Sequence, residues 1–265
     1  MFRHFPRVVL PVFPSAILLG IFYRQSRTLT FIREYGNTEN LSIGSVFRML
    51  FQSYPVYYIV VLPAFFVMVS FSCSFLLTMV YKHFRTGKLS VRMPMSNVNH
   101  GLESVMPTVA IAFLSLLAYK ALFACVVSLL SEMFAPVGKP DGGLIAVVTV
   151  LGIATYVLVI YFIMFPIMTS SMMMVYGYAF KDAVSEALRA GGKNDRGSLV
   201  VAYSLPFVLN IIVSYILMAV SAPGIVLAVA DVVMALFTVT YLTLFSIISV
   251  FTQQKIERVD LKKLY

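Results

Sequence analysis

Hydrophobic positions in this chain follow two patterns: long unbroken apolar runs, and shorter stretches where apolar residues recur every three or four positions. The clearest of the second kind opens residues 180 to 206, the longest polar interruption in the hydrophobic C-terminal half. Phe180, Ala183, Val184, Ala187 and Leu188 stand at i, i+3, i+4, i+7 and i+8, the spacing of one face of an α-helix and of no strand. Lys181, Asp182, Ser185, Glu186 and Arg189 take the opposite face. The spacing predicts an amphipathic helix over about 180–190, lying on a membrane surface and closed by Gly191 and Gly192, which enter the left-handed conformation cheaply. The same stripe recurs at Ile43, Val46, Phe47, Leu50 and Phe51, and again at Val98, Leu102, Val105 and Met106. It predicts further surface helices over about 43–51 and 98–106. Each copy precedes an apolar run, the pattern of an internal repeat, although the side chains are not copied.

The apolar runs predict membrane spans at about 8–23, 54–81, 108–130, 144–165, 199–220 and 225–250. The first is short for a crossing, and a re-entrant or interfacial segment is its alternative. Its basic start resembles a secretory signal, but Pro6, Pro11 and Pro14 break the apolar core and no small-residue cleavage site follows. Pro107 is expected to open the third span in its first turn, and Pro166 to end the fourth. Ser221 to Gly224 make a tight turn between the last two.

Composition agrees: 265 residues that are 60% hydrophobic and 12% charged exclude an ordinary water-soluble domain. The expected fold class is therefore all-α, a polytopic membrane helical bundle of about six transmembrane helices with amphipathic surface helices, forming one integral membrane domain. Backbone polar groups are then satisfied within each helix. Cys73 and Cys125 fall inside predicted spans and give no disulfide framework.

The net charge of +9 does not point to nucleic acid, because the basic residues sit in short loops beside apolar runs, where they set orientation. Lys82, Arg85, Lys88 and Arg92 precede Glu103, the one acid of their loop, and Lys181, Arg189, Lys193 and Arg196 cluster before the fifth span. The loop after the third span carries Glu132 and Asp141 with Lys139 alone. This asymmetry predicts a multi-pass membrane protein with both termini cytoplasmic. The placement of Arg24, Arg27, Arg33 and Arg48 outside depends on whether residues 8–23 cross.

Candidate chemistry is sparse. Lys120 and Asp231 are the charges inside predicted spans, and an ionisable group at such depth is a functional-site hypothesis by default. They can pair or be solvated separately; side chains lean toward their own helix N-termini, which points these two apart. His83 and His100 lack metal-site spacing, so neither metal nor cofactor is expected. Thr86-Gly87-Lys88 lacks the context of a phosphate loop. Met172, Met173 and Met174 point in three directions on a helix and read as packing. No set of polar groups within the spans looks catalytic, so the expectation is a non-enzymatic protein.

Two resemblances extend this reading. Glu186-Ala187, Gly192 and Leu205-Pro206, ahead of two final spans, resemble the cytoplasmic loop of ABC-importer permeases, with Leu188 in place of a second alanine and the Leu-Pro slightly late. That resemblance implies an ATPase subunit docking on residues 180–206. Across most of the chain, the alternation of basic amphipathic segments with six spans is similar to the YesL-like and YciC-like bacterial membrane proteins. That similarity implies an architecture rather than an activity. The resulting expectation is an accessory or transport-related membrane component. Lys88, Arg92, Lys181, Glu186 and Arg189 would contact membrane lipid or a protein partner.

Overall fold

The computed structural model describes residues 9–22, 35–37, 44–46, 55–87, 95–134, 141–193 and 196–253. Among the described residues the main helices are α1 Phe13–Phe22, α2 Pro55–Thr86, α3 Met95–Phe134, α4 Gly142–Tyr176, α5 Phe180–Lys193, α6 Arg196–Ala219 and α7 Gly224–Gln253. No strand occurs among the described residues. Pro63–Thr86, Gly142–Tyr176, Gly197–Ala219 and Gly224–Thr252 are each long and apolar enough to cross a membrane, and Ala121–Phe134 adds a shorter apolar stretch within α3. The chain is an all-α membrane bundle.

Neighbouring helices are fixed by specific contacts. Gly101 of α3 lies against Ser74 and Thr78 of α2. Thr108 of α3 donates its hydroxyl to the Pro166 carbonyl of α4 at 2.8 Å, and Tyr203 of α6 packs edge-on to Phe245 of α7 at 5.1 Å. Together these put the end of α2, the start of α3, α5, the start of α6 and the end of α7 at one end of the bundle. The α3–α4 connection and the α6–α7 turn are at the other. The principal core lies toward the α5 end and includes Leu76, Met79, Val80, Met164, Met168, Met172, Ile247 and Val250. Met164, Met168 and Met172 recur every four residues and are fully buried.

Two boundaries differ from the sequence expectation, for one reason. The stripe around 98–106 is not a separate surface helix; α3 runs unbroken through Pro107 for 40 residues. Pro166 likewise does not end the fourth helix, which continues for 35 residues. A proline removes one intrahelical hydrogen bond, and in a packed membrane bundle neighbouring helices tolerate or replace it. True ends are marked by caps instead. Asp141 accepts from the Leu144 amide at 2.7 Å, and Gly177, left-handed at φ 68°, closes α4 with its amide on Met173. Ser221, also left-handed, closes α6 through paired bonds from Ser221 to Met218 and from Ala222 to Leu217, the arrangement that satisfies the last carbonyls of a helix.

Within the expected first span the described residues give α1, ten residues long. Pro11 and Pro14 lie before it and in its first turn, where a missing N–H costs nothing. α1 packs along α7 and also touches α2. At Gly20 the approach is so close that a Cβ would stand 2.5 to 2.6 Å from Val232 atoms, backbone included. Val12 belongs to the principal core, whereas Tyr35 and Val46 belong to a second, smaller core with Phe123, Val127, Leu144 and Val148 at the opposite end. The Tyr35 hydroxyl is 2.8 Å from that of Ser131; burial pushes the phenol up in pKa and the Ser131 bond pulls it down less. Of the surface helix expected over 43–51, the turn 44–46 is described and the rest lies outside the described residues.

Candidate functional site

α5 is the amphipathic helix that the sequence predicts, but its burial is not that of a simple apolar face. Ala183 and Ala187 are completely buried, while Phe180 and Leu188 remain 37% and 51% exposed. α5 packs chiefly on α4 and more lightly on α6. Methyl side chains let the helix backbone approach the bundle, so the neighbouring larger residues are left outside. Phe180, Val184 and Leu188, at i, i+4 and i+8, form one strip beside the alanine edge. Lys181 follows on the far side of that strip, and Asp182, Ser185, Glu186 and Arg189 complete the polar face. Arg189 and Glu186 approach to 3.5 Å. α5 also runs through Gly191 and Gly192 to Lys193, so the glycines do not end it as their type predicts.

Of the other residues expected to meet lipid or a partner, Lys88 and Arg92 lie outside the described residues. His100 approaches Glu103 to 3.8 Å on an exposed turn of α3. Among the described residues no group of three or more His, Cys, Asp or Glu is placed to hold a metal ion.

Within the bundle, Asp231 sits in the first third of α7 and is 5% exposed. Lys120 is in α3, and its side chain lies outside the described set. α3 packs mainly on α2 and α4, and α7 on α1, α2, α4 and α6. The two charged residues therefore belong to helices that are not principal neighbours.

A polar feature missed from the sequence lies deeper toward the α5 end. Ser70, Ser74 and Thr78 recur every four residues on α2 and are buried, as are Thr240, Thr243 and Ser246 on α7. The Cys73 thiol makes a hydrogen bond with Thr243 across the α2–α7 contact, and Ser171 of α4 donates to Ser246 of α7 at 2.7 Å. Most helical hydroxyls return their proton to their own backbone: Thr169 to Phe165, Thr238 to Met234, Thr243 to Val239 and Ser249 to Ser246. The hydroxyls of Ser70, Ser74 and Thr240 have no such partner. The four-residue spacing of Ser70, Ser74 and Thr78 was visible in the sequence, but hydroxyls are common enough in membrane helices that spacing alone did not separate them from packing residues.

Comparison with protein-family models, curated proteins and solved structures returned no match.

Proposed function

We propose that this protein is a non-enzymatic, multi-pass component of a bacterial cytoplasmic membrane, accessory or transport-related, that presents α5 as a docking helix to a cytoplasmic protein. The observation that carries this reading is the way α5 is held. Ala183 and Ala187 lock one edge onto the bundle, so Lys181, Asp182, Ser185 and Arg189 stand on an anchored helix rather than a free loop. A pre-positioned helix face binds with less ordering cost than a mobile segment. The flanking strip of Phe180, Val184 and Leu188 suits the boundary between lipid headgroups and acyl chains, with Lys181 reaching anionic headgroups. The cytoplasmic orientation rests on charge: Lys82, Arg85, Lys181 and Arg189 gather at the α5 end, and Glu132 and Asp141 at the other.

A permease role is the second reading, favoured by the position of α5 directly before the last two helices; an ATPase subunit would then take the same polar face. A photo-crosslinking residue at Ser185 in living cells tests both. Adducts with one defined protein, lost when Glu186 and Arg189 are both changed to Ala in a chain that still folds, support docking. An ATPase in the adduct selects the permease reading. A folded protein that gives no protein adduct sinks the docking role.

A further inference from the structure

We propose that the α2–α7 seam is a water-binding site, in which the hydroxyls of Ser70, Ser74 and Thr240 hold one or two ordered water molecules at the closed end of a hydroxyl-lined column. The geometry follows from one contact. α2 and α7 run in the same direction, and the Cys73–Thr243 bond joins them at one height. Ser70 precedes Cys73 by three residues and Thr240 precedes Thr243 by three, so both stand one turn above that bond, at matching height on facing helices. Ser74 follows Cys73 directly, on the side turned toward α3, where Gly101 packs so closely that a Cβ there would stand 3.3 Å from the Ser74 Cβ.

All three hydroxyl oxygens are buried and without a hydrogen-bond partner. A helical Ser or Thr always has a carbonyl of its own helix within reach, and Thr169, Thr238, Thr243 and Ser249 take that option. These three hydroxyls are directed elsewhere, and burying a hydroxyl without a partner is unfavourable. A buried water requires roughly two to four polar neighbours. Ser70 and Thr240, with Cys73, Thr243 and Ser74 within a turn, supply that number. Along α2 the polar stripe continues through the buried Thr78. The column therefore runs from the α5 end toward the middle of the bundle. Above it the residues become apolar, with Phe65 and Val69 buried on α2.

Cys73 is a native reporter inside this seam. In lipid nanodiscs, synchrotron radiolysis converts bound water to hydroxyl radical, which modifies side chains touching it; mass spectrometry then reads Cys73. Wild type is expected to show Cys73 modification, reduced several-fold in Ser70→Ala/Thr240→Val. Absent modification in wild type, or equal modification in both, would overturn the proposal. Should the double variant fail to fold, the two single substitutions are each expected to cut the modification about twofold, and unchanged labelling in both overturns it equally. Ser249→Ala, whose hydroxyl bonds to its own helix, should leave Cys73 labelling as in wild type.

Discussion

Tyr241 of α7 donates its hydroxyl to the Ala202 carbonyl of α6 at 3.1 Å, and Ala202 is the residue whose helical partner would have been the amide of Pro206. The imino nitrogen of Pro206 has no hydrogen to give, so a phenol on the neighbouring helix takes its place. In lipid an unsatisfied carbonyl has no water to turn to. Tyr241→Phe is accordingly expected to lower stability by about 1–2 kcal/mol, read from reversible unfolding in detergent. The same change in a Pro206→Ala background should cost clearly less, because the restored N–H serves Ala202. Equal costs in the two backgrounds would show that the phenol is not compensating for the proline.

A second contact leaves almost no freedom. A Cβ at Gly20 would meet the Val232 backbone as well as its side chain, and backbone cannot swing aside. Gly20→Ala should separate α1 from α7 and destabilise by about 1–3 kcal/mol, the range for forcing an extra methyl into a packed site. Gly197→Ala, with nothing within 4 Å, should be neutral or gain a few tenths of a kcal/mol. Thermal unfolding of the two variants side by side gives the comparison. A silent Gly20→Ala would remove α1 from the packed bundle.

The helical class and the existence of α2, α4, α5, α6 and α7 were legible because long apolar runs and a 3.6-residue stripe are strong one-dimensional signals. Helix ends were less legible. Pro107 and Pro166 read as boundaries, since proline breaks helices in water, yet both lie inside continuous helices packed in a bundle. Gly191 and Gly192 misled in the same way. The apolar spacing put Ala183, Ala187 and Leu188 on one face of α5 without showing which edge is buried; close approach to α4 favours the smaller side chains. The pairing of Tyr241 with Ala202 spans 39 positions, and no local pattern announces it.

Lys120 and Asp231 are expected to behave independently, because α3 and α7 are not principal neighbours. Asp231→Asn and Lys120→Met should therefore have effects that add within about 0.5 kcal/mol in the double variant. A double variant markedly milder than the sum would mean that the two charges meet across the bundle.

Orientation is open to direct test by cysteine labelling in a Cys73→Ser/Cys125→Ser background. Single cysteines at Lys88, Ser198 and Lys262 should resist an impermeant thiol reagent in intact cells, and one at Asp141 should react, as the basic residues gather at the α5 end. Arg33→Cys should also react, because Tyr35 is bonded to Ser131 at the Asp141 end. Labelling at Lys88 would invert the molecule, and protection at Arg33 with labelling at Asp141 would deny that residues 8–23 cross.

The faces of α5 should fail in different ways. Ala187 is fully buried where α5 meets the bundle, so Ala187→Leu adds three carbons to a site without room, and loss of folded protein on size exclusion is expected, with a cost of about 1–3 kcal/mol. Leu188, half exposed one residue further on, makes little of that contact. Leu188→Asp should leave the bundle folded but weaken the hold of this end on the membrane interface, seen in nanodiscs as faster amide exchange in 180–193 with no change in the core helices. Glu186→Ala with Arg189→Ala removes only an exposed i,i+3 pair and should change stability by a few tenths of a kcal/mol. If Leu188→Asp instead unfolds the protein while Ala187→Leu is tolerated, α5 is rotated from the orientation described, and the polar face assigned to a partner is the one that meets α4.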